Sequence, residues 1–256
     1  MPSSSAQTPG AALYETSGLI DQYLEFHFGP EALGVRNFPV ACIEAITASI
    51  SPGRRDRCLD LGCAVGRSSF ELARHFEHVD AVDYSAGFIA AAQAVQQQGS
   101  LTYHVPTEGA LTCQREITLQ AIDAGEVAAR VHFQTGDACS LPAALTDYEL
   151  VFAGNLIDRL YEPQLFLDSM AERIRSGGWL AITSPYTWLT DYTPQEHWLG
   201  GYAATDGNPI DTFHGLQTAL ADQFTLVDRR DIPFVIRETA RKHQHTLAEL
   251  TLWQRR

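Results

Sequence analysis

The segment Arg57-Cys58-Leu59-Asp60-Leu61-Gly62-Cys63-Ala64-Val65-Gly66-Arg67-Ser68 limits the possible folds of this chain most. It runs from an apolar strand through two close glycines into a helix start. Gly62 and Gly66 let the backbone turn sharply and approach a ligand, and a helix opening near Ser68 and Ser69 presents unpaired N–H groups. A second strand, Val79-Asp80-Ala81-Val82-Asp83, ends in a carboxylate about 20 residues after the first glycine, where a βαβ unit offers it to ribose hydroxyls. The chain is therefore expected to be α/β, with two parallel strand ends converging on one nucleotide-like ligand.

A dinucleotide site would ask for G-x-G-x-x-G, with the pyrophosphate against the helix N-terminus. Here Ala64 stands at the middle glycine. Asp60 precedes the turn, where it would repel a phosphate and suit a cationic amino group. A nicotinamide cofactor and an ordinary parallel-strand turn remain as alternative readings. The pattern D-x-G-C-x-x-G, followed by an acid at the next strand end, resembles motif I and its successor in the class I methyltransferases that use S-adenosylmethionine. The resemblance covers residues 55–185. It implies a Rossmann-like fold: a seven-stranded, mostly parallel sheet with helices on both faces. It also implies S-adenosylmethionine as cofactor, held by Asp60, Gly62, Cys63, Ala64 and Gly66 in the first turn and by Asp83 and Tyr84 after the second strand. Further along, Asp137 and Ala138 would read the adenine and Asn155 would face both cofactor and acceptor. For Asp137 a plain turn aspartate after Gly136 is the competing reading.

With 256 residues the chain can bury one large core. No apolar run reaches the length of a bilayer span, and residues 1–10, rich in Ser, Ala and Pro, lack the basic start and apolar centre of a signal peptide. A disordered leader and a cytoplasmic protein without a membrane partner are expected. Eighteen basic against thirty-one acidic residues give a net charge of −13, which repels polyanions, so a small molecule and not a nucleic acid is the expected methyl acceptor. The five cysteines form no C-x-x-C pair. Reduced thiols and no metal site are expected.

Residues 11–52 carry apolar and aromatic side chains at helical spacing, broken at Gly29-Pro30 and resumed with Pro39 in a first turn, and read as an N-terminal helical cap. Residues 53–256 read as the cofactor domain. Its expected strands are 57–61, 78–83, 131–134, 148–153 and 179–183, closed by two more at 224–235 and 245–254. Helices are expected at 68–75, 86–97, 162–174 and 209–223. Residues 99–127 exceed what a strand-to-strand link needs, and Thr107-Glu108-Gly109 between two alternating runs predicts an inserted β-hairpin, a candidate lid or oligomer contact in a monomer or homodimer. Residues 184–198, dense in aromatic and hydrogen-bonding side chains, read either as an acceptor pocket or as a loop packed by its own rings.

The run Gln22-Tyr23-Leu24-Glu25-Phe26-His27-Phe28-Gly29-Pro30, with Asn37-Phe38-Pro39-Val40-Ala41-Cys42, resembles the start of the methyltransferase domain of ovothiol biosynthesis. Members of that family methylate an imidazole nitrogen of 5-thiohistidine. In many organisms the domain is fused behind a sulfoxide synthase, so a stand-alone version is expected here. The resemblance implies acceptor contacts from Tyr23, His27 and Asn37 in the cap, from Asp158 and Arg159 after the strand at 148–153, and from Tyr186 and Trp188 after the strand at 179–183. His27, Asn155 and Asp158 are the candidate catalytic groups. His27 is a possible proton acceptor by its ordinary pKa, with a packed core histidine as the competing reading. Arg159 suits a substrate carboxylate, or else a surface ion pair with Asp158 or Glu162. Another small-molecule methyltransferase, or a module that binds the cofactor without catalysis, remains open.

Overall fold

The computed structural model describes residues 14–50 and 55–256; the expected leader at 1–10 lies outside them. Two helices open the described chain, α1 (Ser17–Phe28) and α2 (Phe38–Ser49). Asn37 caps α2 by accepting the Val40 N–H, and Pro39 sits in the first turn, where its missing N–H costs nothing. Then follow β1 (Arg57–Leu61), α3 (Arg67–Leu72), β2 (His78–Asp83) and α4 (Ala86–Gln98). Next come a hairpin, β3 (Ser100–Glu108) and β4 (Leu111–Thr118), then β5 (Val131–Thr135) and β6 (Tyr148–Gly154). The remainder is α5 (Pro163–Arg173), β7 (Ile174–Ser184), β8 (Tyr202–Ala203), β9 (Pro209–Ile210), α6 (Thr212–Leu220), β10 (Phe224–Arg237) and β11 (His243–Arg255).

Seven strands form one sheet in the order β10-β11-β7-β6-β1-β2-β5. The five on the β5 side run parallel, and β11 joins β7 and β10 antiparallel. This is the expected seven-stranded, mostly parallel α/β sheet. β6 is buried along all but its last residue, as a central strand covered on both faces must be. Cys58, Leu150, Phe152, Leu250 and Leu252 enter one core with α2 and α4. Their neighbours Leu59, Leu61, Val151, Leu180 and Ile182 enter the opposite core with α5 and α6. Period-2 alternation along each strand divides the two. Ile43 and Ile46 of α2 are fully buried in the first core, so α2 packs into the sheet's own interior.

Three boundaries differ from expectation. The helix expected over 209–223 is only Thr212–Leu220, because Pro209-Ile210 pairs with Tyr202-Ala203 and the Asp211 side chain then caps the helix through the His214 N–H. β7 starts at Ile174 instead of 179, with its register against β6 interrupted between Tyr148 and Leu150. α3 is short, ending at Leu72. The hairpin is present at the expected place, and among the described residues no helix is long and apolar enough to cross a membrane.

Candidate functional site

At the carboxyl ends of β1, β2 and β6 the chain encloses a cavity of about 540 Å³. That volume lies inside the roughly 300–1,000 Å³ usual for small-molecule sites. The position is also where a doubly wound sheet places its ligand, in the crevice beyond the strand ends.

The sheet-side wall is built from backbone turns. The N–H groups of Gly62 and Cys63 both donate to the Val82 carbonyl, which binds the turn after β1 to the end of β2. Gly62 (φ 70°) and Ala64 (φ 46°) line the cavity in left-handed conformations, whereas Gly66 (φ 90°) does not line it and caps α3. A Cβ on Gly66 would come within 2.7 Å of the Phe133 ring, so this glycine is required by packing. Asp83 Oδ2 accepts the Ala64 N–H at 2.8 Å and Oδ1 accepts the Ser85 N–H at 2.9 Å. Asp83 lines the cavity. Burial pushes its pKa up to about 6, while the backbone N–H bonds oppose the rise.

Asp60 sits differently from the expectation of a direct ligand contact. It is buried below the cavity floor; its Oδ2 accepts the hydroxyls of Ser68 and Ser69 at 2.7 and 2.6 Å, and its Oδ1 has no partner among the described residues. Burial raises its pKa to about 6. Ser68, which lines the cavity, stands between it and any ligand. Cys63 is buried and also away from the cavity lining. Tyr84, Asp137, Ala138 and Asn155 all line it. Asp137 serves as a turn residue, accepting the Cys139 N–H, and also accepts the Tyr161 hydroxyl at 2.9 Å while lining the cavity. Asn155 holds a left-handed conformation (φ 49°) fixed by its N–H to Thr183 and by the Thr183 hydroxyl on its Oδ1.

The opposite wall is aromatic and is centred on α1. Tyr23 lies 4.6 Å from the Phe88 ring and 5.9 Å from His27, and Tyr14, Phe26, Phe38, Tyr192 and Phe234 complete the surface. Burial pushes the Tyr23 phenol up to about 12. His27 lines the cavity with a buried Nδ1 that has no partner among the described residues. Burial, then the Arg67 guanidinium, lowers its pKa to about 3. Such a ring is neutral and weakly basic at neutral pH, which corrects the expectation based on its ordinary pKa: it can orient a partner by hydrogen bonding, but it has little affinity for a proton. Asn37 stays outside the cavity and works on the backbone, donating to the His27 carbonyl at 2.9 Å while capping α2.

Between the two walls stand Asp158 and Arg159. Asp158 is fully buried, with Oδ2 accepting the Thr187 N–H at 2.9 Å and Arg159 Nη1 at 3.0 Å, and with Oδ1 unpartnered among the described residues. Burial raises its pKa, opposed by Arg159. Arg159 Nη1 also donates to the carbonyls of Asp158 and Thr187, and its guanidinium lies 4.9 Å over the Tyr192 ring. Its other N–H groups make no hydrogen bond to a described residue. The ion pair with Asp158 is therefore real but largely buried, and it leaves half of the guanidinium fork free.

Tyr186 and Trp188, expected at the acceptor, are engaged elsewhere. The Tyr186 hydroxyl donates to Glu249 at 2.7 Å, and Trp188 Nε1 donates to Thr212 at 2.8 Å while its ring stacks on Trp198. The loop at 184–198 is held largely by its own aromatics, and it gives the cavity only Pro185 and Tyr192. Tyr14 and Tyr192, which sequence reasoning missed as site residues, meet at a ring distance of 6.0 Å from distant parts of the chain. Among the described residues, no group of three or more His, Cys, Asp or Glu is arranged to hold a metal ion.

Residues 59–182 match the family model described as "Methyltransferase domain", a little under half of the chain. No curated protein matches it. Among solved structures, it is similar to the N-methyltransferase NodS from Bradyrhizobium japonicum WM9 in complex with S-adenosyl-L-homocysteine (15% identity, covering 92% of this chain and 98% of that one, TM-score 0.51). A SAM-dependent methyltransferase from Methanosarcina mazei is similar at 17% identity, with coverage of 82% and 96% and a TM-score of 0.50. The (4+2)-cyclase SpnF is similar at 15% identity, with coverage of 89% and 77% and a TM-score of 0.58. At these identities the structural likeness speaks for the fold, and the family match speaks for the domain. Residues 59–182 thus carry the match to a methyltransferase domain, and the fold is shared with these structures, of which NodS holds S-adenosyl-L-homocysteine.

Proposed function

We propose that this protein transfers a methyl group from S-adenosylmethionine to an imidazole ring nitrogen of 5-thiohistidine, the last step of ovothiol A biosynthesis. The observation that carries the reading is the composition of the second wall: a slot lined by rings, with the free guanidinium edge of Arg159 beside the buried Asp158 carboxylate. The resemblance of residues 22–30 and 37–42 to the ovothiol methyltransferase domain supplies the choice of acceptor.

The residues present fit the cofactor. Asp83 at the cavity would accept ribose hydroxyls, Asp137 and Ala138 would meet the base, and Ser68, over Asp60, would meet the amino-acid end. When bound, the cofactor supplies an electrophilic methyl group on a positively charged sulfur. The rest falls to the side chains. Tyr23, packed on Phe88, offers one face to a flat ring, and Arg159 holds its carboxylate with the unused N–H groups. Asp158, beside Arg159 at the cavity, would take the proton that the ring nitrogen releases on methylation. A thiolate is the softer nucleophile of the acceptor, so orientation must present nitrogen instead of sulfur. Alignment of this kind supplies up to about 7–11 kcal/mol of a barrier. His27 Nδ1 serves as a neutral hydrogen-bonding anchor for the ring.

The same walls would hold another flat acceptor bearing a carboxylate, and a cofactor-binding module without transfer would need only the sheet-side wall. Incubation with S-adenosylmethionine and 5-thiohistidine, with histidine and unrelated amines or phenols in parallel, separates these. The expected result is a singly N-methylated thiohistidine formed together with an equal amount of S-adenosylhomocysteine. Cofactor binding without a methylated thiohistidine contradicts the proposal.

A further inference from the structure

The side of α1 turned away from the cavity is gripped by the inserted hairpin. Gln22, Tyr23, Phe26 and His27 face the cavity, while Asp21 and Glu25 face β3 and β4. Glu25 is buried, with a side chain only 6% exposed. Its Oε2 accepts the Tyr103 hydroxyl at 2.8 Å, and Arg115 Nη1 donates to Oε1 at 2.7 Å and to Oε2 at 2.9 Å. From the third side, Arg237 of β10 approaches Oε1 at 3.9 Å. Asp21 accepts the His104 N–H at 3.3 Å, and the Thr107 carbonyl accepts the Ala240 N–H at 3.2 Å, which ties the hairpin to the turn between β10 and β11. One face of the hairpin, with Tyr103, Val105 and Ile117, is buried in the core that also holds Leu24 of α1. The hairpin is thus a bracket fixed to the molecule.

We infer that Glu25 is a positioning residue for the methyl acceptor: through it the inserted hairpin sets the rotation and depth of α1, and hence where Tyr23 and His27 stand. The inference rests on the reading that the acceptor lies against α1. Residues 22, 23, 26 and 27 share one helix face, so a small rotation about the α1 axis moves all four together. A buried carboxylate gripped by a phenol and two guanidinium groups resists such rotation, because any displacement leaves a buried charge without its partner. The cofactor wall, made from the ends of β1, β2 and β6, does not pass through this bracket.

The test is Glu25→Gln in the full chain. The expected result is a KM for 5-thiohistidine raised about tenfold or more, the scale of one lost charge-linked hydrogen bond. The Kd for S-adenosylhomocysteine is expected to stay within about twofold of wild type, because the cofactor wall is untouched. Amide hydrogen exchange should accelerate across residues 21–28 and not across β1 or β2. Arg115→Lys, which keeps the charge, should shift KM less than Arg115→Met. If Glu25→Gln does not fold, Tyr103→Phe, which keeps both guanidinium partners, is expected to give the same pattern at smaller amplitude. Unchanged KM and unchanged exchange over 21–28 overturn the inference, as does a rise in cofactor Kd that matches the rise in KM. Should the wild-type protein leave 5-thiohistidine unmethylated, the proposed function fails, and the exchange measurement alone decides the role of Glu25.

Discussion

The sheet-side wall of the cavity and the α1 wall bind by different means. The first is made of left-handed turns, backbone N–H groups and strand-end carboxylates, all fixed by neighbours within the sheet: Gly62 by the Val82 carbonyl, Asp83 by the Ala64 N–H, Asn155 by Thr183. The second is made of rings gathered around one helix, with few hydrogen bonds directed at the cavity and an anchor that lies behind it at Glu25. The contrast teaches that one wall is fixed by covalent connectivity and sheet pairing, and the other by the placement of a separately held helix. Substitutions should therefore sort cleanly into those that change cofactor binding and those that change acceptor use.

The largest effect is expected at the junction of the two walls. Asp158→Asn keeps the Thr187 N–H contact possible but removes the proton acceptor, and should lower the single-turnover rate by about 10²–10⁴-fold with S-adenosylhomocysteine affinity unchanged. A rate within a few-fold of wild type would assign Asp158 to structure alone. Next, Asp83→Ala should weaken S-adenosylhomocysteine binding by about 1.5–3 kcal/mol in calorimetry, the scale of a hydrogen bond to a charged group, with little change in acceptor KM at saturating cofactor. The same carboxyl gives a pH test. With its pKa raised to about 6, Asp83 is ionised above that value and becomes protonated below it, losing one acceptor site, so cofactor affinity should decline as pH falls through 6. His27→Ala should raise acceptor KM and leave the alkaline and acid limbs of the rate profile between pH 5 and 9 in place, since its pKa of about 3 keeps the ring neutral throughout. A lost inflection near neutrality would return the proton to His27.

The smallest effect concerns stability. Asp60 has a folded-state pKa raised from 3.8 to about 6, so the protonated carboxyl is favoured by the fold. Its contribution is fully present below the unfolded value near 4 and is lost as pH rises through 6. Asp60→Asn, which removes the buried charge, should accordingly be better tolerated at pH 8 than at pH 4 when urea midpoints of the ligand-free protein are compared. Equal effects at the two pH values would place the cost in the serine hydrogen bonds instead.

Much of the sheet-side wall was legible in the sequence, because its determinants are local. The run from Arg57 to Leu72 encodes strand, turn and helix without a break, and Asp83 follows at a fixed offset. The hairpin was legible from Thr107-Glu108-Gly109 for the same reason. Asp60 shows the limit of that approach: its spacing matches a ligand residue, but whether a carboxylate faces the cavity or the two serines beneath it depends on side-chain direction. The α1 wall was legible only in part. Tyr23 and His27 stand in a readable aromatic run, but Tyr14 and Tyr192 join them from regions about 180 residues apart, a pairing that loop closure over such a distance leaves without any local signal. Aromatic density misled at Tyr186 and Trp188, since a loop that must bury its own rings has the same composition as one that presents them to a ligand. The helix expected at 209–223 was overextended because its apolar pattern continues through Pro209-Ile210, whose pairing with Tyr202-Ala203 is a tertiary choice.

The most direct test of the two-wall account is a crystal structure of the protein with S-adenosylhomocysteine and 5-thiohistidine bound together. The account predicts ribose hydroxyls on Asp83, the thiohistidine carboxylate on the free edge of Arg159, and the imidazole between Tyr23 and the cofactor sulfur with a ring nitrogen, not the thiol, directed at it. A nucleoside seated away from the ends of β1 and β2, or an acceptor ring that makes no contact with α1, would contradict it.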